Sequence, residues 1–198
     1  MTEPSAWVRI TEDDPGHSAR YVQRFRTLAE QGNDIVGEAR LVDAMLPRGS
    51  RVLDAGCGPG RIGGHLGRAG HDVVGVDVDP VLIAAAEEDH PGPRWLVGDL
   101  AELDLPDRFD AIVCAGNVMA FAAPDTRVEI LRRMRAHLAP DGRAVIGFGA
   151  GRGYPFERFR ADARTAGLAE DVLFATWDLR PFSGTSEFLV ASLRDGDR

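Results

Sequence analysis

The chain has 198 residues, 44% of them hydrophobic and 27% charged, with a formal net charge of −8, the profile of one ordinary globular domain. All 23 basic residues are arginine, so a phosphate loop of the G-x-x-x-x-G-K-[ST] type, a Schiff-base lysine and a pyridoxal phosphate site are excluded. The acidic balance argues against duplex nucleic acid and anionic membranes as partners, because both favour a basic face.

Residues 1–33 read as an N-terminal arm with a lid helix, and residues 34–198 as the core of the same single domain. The first fifteen residues are mostly polar, carry Pro4 and Pro15 and show no sustained period. They also lack the basic flank and apolar core of a secretory signal. The apolar stretch from Ala111 to Ala123 contains Asn117 and is too short to span a bilayer. Cys57 and Cys114 form no disulfide framework, and the five histidines show no ligand spacing, so the reading is a cytosolic protein without a metal.

Helical periodicity runs from Ser18 to Glu30 and again from Asp34, a candidate cap, to Leu46. Strands are then predicted at Arg51–Ala55, Asp72–Asp77, Trp95–Val97, Phe109–Ala115 and Arg143–Phe148, the last entered by an Asp141-Gly142 turn. Helices alternate with them. One carries Ile62, Leu66 and Ala69, one opens at Asp79-Pro80, and one spans Thr126 to Leu138 with Thr126 and Glu129 in capping-box positions. A helix from Phe156 to Ala166 precedes two last strands, Val172–Trp177 and Glu187–Leu193. The segment joining those strands is too short for a crossover helix, so they should be antiparallel neighbours. The fold class expected is α/β, a mostly parallel sheet with one reversed strand and helices on both faces.

In such sheets ligands bind beyond the carboxyl ends of the strands. Asp54 ends the first strand and is followed by Gly56, Cys57, Gly58 and Gly60; Asp77 ends the second strand, 19 residues after Gly58. A glycine loop followed at that distance by an acid is the pattern of a nucleoside-bearing cofactor, the acid meeting the ribose hydroxyls. Gly58, Gly60 and Gly63 satisfy the dinucleotide fingerprint G-x-G-x-x-G, which keeps a nicotinamide cofactor open. Asp54, however, sits where a pyrophosphate would lie, and a carboxylate there favours a cationic ligand. S-adenosylmethionine fits, with its sulfonium and ammonium groups and no phosphate.

The run VLDAGCGPGRIGGHLGRAGHDVVGVDVDP at 52–80, with GDL at 98–100, FDAIVCAGNVMAF at 109–121 and LAPDGRAVIGF at 138–148, resembles the class I S-adenosylmethionine-dependent methyltransferases. With GEAR at 37–40 and TWDLRPF at 176–182, it is most similar to small actinobacterial members. The resemblance implies a Rossmann-like seven-stranded sheet of order 3-2-1-4-5-7-6 with strand 7 antiparallel. It places Asp54 near the cofactor ammonium through a hydrogen bond or water, within the loop that holds the methionine part. It makes Asp77 the acceptor of both ribose hydroxyls, packs Val78 on the adenine, and assigns Asp99 and the Leu100 backbone to the adenine amine. Ala115, Gly116 and Asn117 would pass beside the transferable methyl, and Tyr21 or Arg24 would help close the site.

Better-known base-methylating members carry [DN]-P-P-[YF] after the fourth strand. Here Gly116-Asn117-Val118-Met119 stands instead, so Asn117 is the one candidate catalytic residue. Cys57 reads as a small residue between glycines, and Glu38 and Arg40 as solvated or paired surface. The function expected is methyl transfer to a small-molecule acceptor by in-line displacement. The alternatives are a non-catalytic binder of S-adenosylmethionine or S-adenosylhomocysteine and a nicotinamide-dependent oxidoreductase.

Overall fold

The structure, a computed structural model, describes residues 3–197; residues 1, 2 and 198, the outermost positions of the expected arm and core, lie outside it. Seven strands form one sheet of order β3-β2-β1-β4-β5-β7-β6. They are β1 (Arg51–Ala55), β2 (Asp72–Asp77), β3 (Arg94–Val97), β4 (Phe109–Cys114), β5 (Leu138–Gly149), β6 (Leu168–Phe174) and β7 (Phe188–Asp195). All pair in parallel except β7, which runs antiparallel to both β5 and β6. The order is as the resemblance implied, and the reversed strand is as the short link and the resemblance both implied.

The central strands are buried on both faces, as continuous Val/Ile/Leu/Ala runs require. On one face Leu53, Ile112 and Ile146 meet Ile130, Leu131 and Met134 of α7 (Arg127–Ala136) and Phe159 and Ala163 of α8 (Phe156–Thr165). On the other, Val52, Val73 and Val113 meet Ala39 and Val42 of α3 (Gly37–Ala44) and Ile62 and Leu66 of α4 (Arg61–Arg68). Asp79 caps α5 (Pro80–Asp89) as expected, its Oδ1 accepting from Val81 N at 2.8 Å, with Pro80 in the first turn.

Four local expectations are corrected. The N-terminal arm contains a helix, α1 (Ala6–Asp13), capped by Ser5 Oγ accepting from Val8 N at 3.2 Å. Asp34 does not cap α3; it accepts from Val36 N one turn earlier and pairs with Arg40, so the helix starts at Gly37. Thr126 makes no capping bond, because its hydroxyl donates to Ala123 O while Glu129 pairs with Arg133. Finally, β6 begins at Leu168, directly after Gly167 closes α8 with φ 82°, and ends before Trp177, whose ring folds back to within 2.9 Å of where a Cβ on Gly147 would sit. The Asp141-Gly142 turn is present as a kink inside β5, with Asp141 at φ 63° and the register against β4 shifting there.

Candidate functional site

At the carboxyl edge of the sheet, β1 runs into the loop 56–60, which α4 leaves at Gly60. Gly60 has φ 80°, and a Cβ on it would lie 2.9 Å from Ala86 and 3.0 Å from the Trp95 ring. Backbone conformation and packing both therefore demand glycine. The loop is tied to the end of β2, because Gly58 N donates to Asp77 Oδ2 at 2.8 Å and Asp79 N donates to Asp77 Oδ1 at 3.0 Å. Each Asp77 oxygen has one lone-pair direction used by backbone, which fixes the carboxylate and leaves a second direction on each. Burial raises its pKa.

A cavity of about 420 Å³ opens over this edge. Its floor includes Gly56, Cys57, Gly58, Asp77, Val78, Asp99, Leu100, Ala115, Gly116 and Asn117. Asp99 Oδ1 accepts from Ala101 N at 2.8 Å and so caps the 3-10 turn Leu100–Glu102. After β4 the chain turns through two left-handed residues, Gly116 and Asn117, both at φ 69°. Glycine tolerates that conformation without strain, and asparagine better than most residues do. A Cβ on Gly116 would meet nothing within 4 Å, so the backbone itself is presented to the cavity. Asn117 then starts α6 (Val118–Phe121), and its Oδ1 accepts from Gly149 N at 2.9 Å, locking the ends of β4 and β5 together.

The cavity is roofed by α1 and α2 (His17–Glu30) through Trp7, Tyr21, Arg24 and Phe25. Trp7 packs edge-on against Tyr21, with ring centres 5.1 Å apart, and donates its indole N–H to Asp79 Oδ2 at 2.8 Å. Ser18 donates its hydroxyl to the same oxygen. Asp79 thus joins the roof to the strand end that carries Asp77. Tyr21 is largely buried, and burial raises its phenol pKa.

Of the residues singled out from sequence, Asp54 and Gly60 do not line the cavity. Asp54 lies behind the loop, 1% exposed, its Oδ2 accepting from Gly63 N at 2.8 Å. Burial pushes its pKa from 3.8 up to about 7. Asp54 therefore braces the start of α4 and makes no direct contact with the cavity. Glu38 is paired, as one reading had it. It clasps Arg61 at 2.6 and 2.8 Å, and Arg61 also donates to Ile35 O and lies 5.5 Å from the Phe25 ring. Both cysteines are free and buried, and burial raises both thiol pKa values, which is unsuited to a nucleophile.

Trp7, Arg61, Phe121 and Arg152 also line the cavity, though the sequence singled out none of them as individual residues. A tryptophan two positions after a serine cap was the available signal for the first. Among the described residues, no three His, Cys, Asp or Glu side chains gather in a way that could hold a metal, and no helix is long and apolar enough to cross a membrane.

A sequence profile described as a methyltransferase domain matches residues 52–142. The structure of a TehB-like SAM-dependent methyltransferase from Corynebacterium glutamicum is 55% identical, with a TM-score of 0.89, and the match covers 92% of this chain and 100% of that one. The chain belongs to the S-adenosylmethionine-dependent methyltransferase family. Among curated relatives, a magnesium-protoporphyrin O-methyltransferase from Rhodobacter capsulatus is 35% identical over 132 residues, 63% of this chain and 55% of that protein. A dTDP-4-amino-2,3,4,6-tetradeoxy-D-glucose N,N-dimethyltransferase from Saccharopolyspora spinosa is 32% identical, over 67% of this chain and 51% of that protein. The chain thus spans about half the length of these curated relatives.

Family membership decides between the two cofactors that the glycine spacing left open. The site suits S-adenosylmethionine on its own terms. The Gly116 backbone is open to the cavity, the Asp77 carboxylate is fixed by backbone donors with acceptor capacity left for a diol, and Asp99 lines the same cavity.

Proposed function

We propose that the chain transfers the methyl group of S-adenosylmethionine to a small organic acceptor. The observation that carries this reading is the cavity's extent. It runs from Asp99 and Asp77, after β3 and β2, across the glycine loop after β1 to Ala115–Asn117 after β4. An extended nucleoside laid along it would place its base and ribose at the acids and its other end beside β4. When bound, S-adenosylmethionine supplies a sulfonium-activated methyl group, and its sulfur keeps the electron pair of the broken bond.

The chain's own contribution is binding, orientation and exclusion of water. Asp77, held by two backbone N–H groups, offers a fixed pair of acceptors to vicinal hydroxyls. Val78 gives an apolar surface for the adenine, and Asp99 with the Leu100 backbone addresses its amine. The Gly116 backbone lets the acceptor approach without a side chain in the way. Trp7, Tyr21 and Phe25 cover the opposite side and keep bulk water off the reacting line. Holding two reactants in line can supply on the order of 7 to 11 kcal/mol of the barrier, so positioning carries the reaction with no general base required for an acceptor already deprotonated.

Two relatives are named for small-molecule acceptors, a magnesium-protoporphyrin and a dTDP-linked amino sugar, and the chain's charge of −8 disfavours a nucleic acid. The test is incubation with methyl-tritiated S-adenosylmethionine and a cell extract split by ultrafiltration. Tritium in an organic product of the filtrate, with S-adenosylhomocysteine formed in step, is expected. Tritium confined to the retained RNA and protein would refute the small acceptor, and no S-adenosylhomocysteine from either fraction would refute transfer.

A further inference from the structure

Beyond β5 the chain forms the segment 150–155, and its course is fixed on both sides of Arg152. Before it, Gly149 N donates to Asn117 Oδ1 at 2.9 Å and Ala150 N donates to Glu187 O at 2.8 Å. After it, the buried Arg127 guanidinium donates to Gly153 O at 3.1 Å and to Ala122 O at 3.2 Å, and lies 4.0 Å from the centre of the Tyr154 ring. Tyr154 is itself buried and donates its hydroxyl to buried Asp162 at 2.9 Å. A buried cation and a buried phenol thus hold a surface segment in which Arg152 is the only side chain larger than methyl between Gly149 and Tyr154.

Arg152 lines the cavity and makes no ion pair or hydrogen bond among the described residues. Its neighbours on α8 behave differently, since Arg158, Arg160 and Arg164 each meet a carboxylate. Asn117 stands on the same side. Gly149 N occupies its Oδ1, and its Nδ2 makes no hydrogen bond among the described residues. The acids of the cavity, Asp77 and Asp99, follow β2 and β3, whereas Asn117 and Arg152 follow β4 and β5. Strands stand about 4.8 Å apart, so three intervals separate the ends of β2 and β5 by on the order of 14 Å, and no ion pair joins Arg152 to Asp77 or Asp99 among the described residues. This end of the cavity therefore offers donors and a positive charge, with Val118, Phe121 and Ile130 as its apolar wall.

We propose that the acceptor is a small organic anion whose carboxylate or phosphate is held by the Arg152 guanidinium, with Asn117 Nδ2 as a further donor. The planar guanidinium fork matches either oxyanion with two parallel hydrogen bonds. The anion is the handle, and the apolar wall takes the acceptor's body. This rests on the cavity being the S-adenosylmethionine site and narrows the acceptor from a small molecule to an anionic one.

The test uses the full chain, labelled with nitrogen-15, loaded with S-adenosylhomocysteine and titrated with benzoate, phenyl phosphate and neutral benzamide. The Arg152 Nε–H signal, identified by its loss in Arg152→Gln, and the Asn117 side-chain amide are followed. Benzoate or phenyl phosphate should move both signals saturably, and the arm that binds tighter names the anion; benzamide should not. Arg152→Gln should weaken the anion at least tenfold while binding S-adenosylhomocysteine as the wild type does. The proposal is overturned if neither anion moves the signals, if benzamide moves them equally, or if Arg152→Gln loses S-adenosylhomocysteine affinity, which would assign Arg152 to the cofactor. Failure of the wild type to bind S-adenosylhomocysteine would bring down the cofactor reading as well; binding it without the anions brings down this inference alone.

Discussion

Asp54→Asn probes the most strongly perturbed carboxylate at the loop. In the folded chain Asp54 is buried with one backbone donor, Gly63 N, and titrates at about 7 where an ordinary aspartate titrates at 3.8. Below about pH 4 the folded and unfolded chains both hold the proton. Between about 4 and about 7 the unfolded chain releases it while the folded chain keeps it. Stability therefore falls as pH rises through that window, by about 1.4 kcal/mol per unit, and levels off above about 7. The three-unit displacement amounts to on the order of 4 kcal/mol across the window. Asparagine keeps an acceptor for Gly63 N and cannot ionise, so the variant lacks this slope. Urea unfolding of both proteins in steps from about pH 4 to about pH 8 isolates it, because every other group cancels in the difference. The variant should gain on the wild type steadily up to about 7 and then run level with it. Parallel stability curves over the whole range would refute the buried, proton-holding Asp54.

The remaining predictions concern the roof, the partly buried ion pair and the loop's packing. Trp7→Phe removes the 2.8 Å bond to Asp79 and should cost about 1 to 2 kcal/mol, with faster amide exchange across α1; unchanged exchange there would show that the bond does not hold the roof. Glu38→Leu and Arg61→Met should each destabilise by about 2 kcal/mol by leaving a partly buried charge unpaired, and the double variant by less than their sum; simple additivity in chemical denaturation would count against the pair. Gly63→Ala pits a helix-propensity gain of about 1 kcal/mol against a Cβ 2.8 Å from the Trp95 ring and 3.1 Å from Asp54 Oδ2. The crowding should win by about 1 kcal/mol, lowering the melting temperature, and a raised one would mean the ring yields freely.

The sheet was legible because its central strands are apolar runs separated by helical periods, and because residues 178–186, between the last two expected strands, are too few for a crossover helix; the strands end earlier and start later than expected, leaving 175–187 between them, and still pair antiparallel. The glycine loop with Asp77 was legible for the same local reason, since residue type and spacing suffice. What escaped depends on contacts far apart in sequence. Trp7 finds Asp79 across 72 positions, Glu38 meets Arg61 across 23, and Arg127 reaches Gly153 across 26. The Asp54 expectation placed it at the end of β1, but residue spacing could not show that its carboxylate turns to Gly63 N of α4 and stays off the cavity lining. The Thr126 capping box failed because a free hydroxyl had a competing acceptor, Ala123 O, in the preceding turn.

The central claim is that the cavity binds S-adenosylmethionine with Asp77 as the acceptor for its ribose. Calorimetric titration of the wild type and of Asp77→Ala measures this directly, with circular dichroism confirming that the variant is folded. The account predicts saturable one-to-one binding by the wild type and at least a hundredfold loss in Asp77→Ala, about 2.7 kcal/mol, consistent with losing two hydrogen bonds to a charged acceptor. A wild-type titration without heat or saturation, or an Asp77→Ala protein that binds as tightly as the wild type, would contradict it.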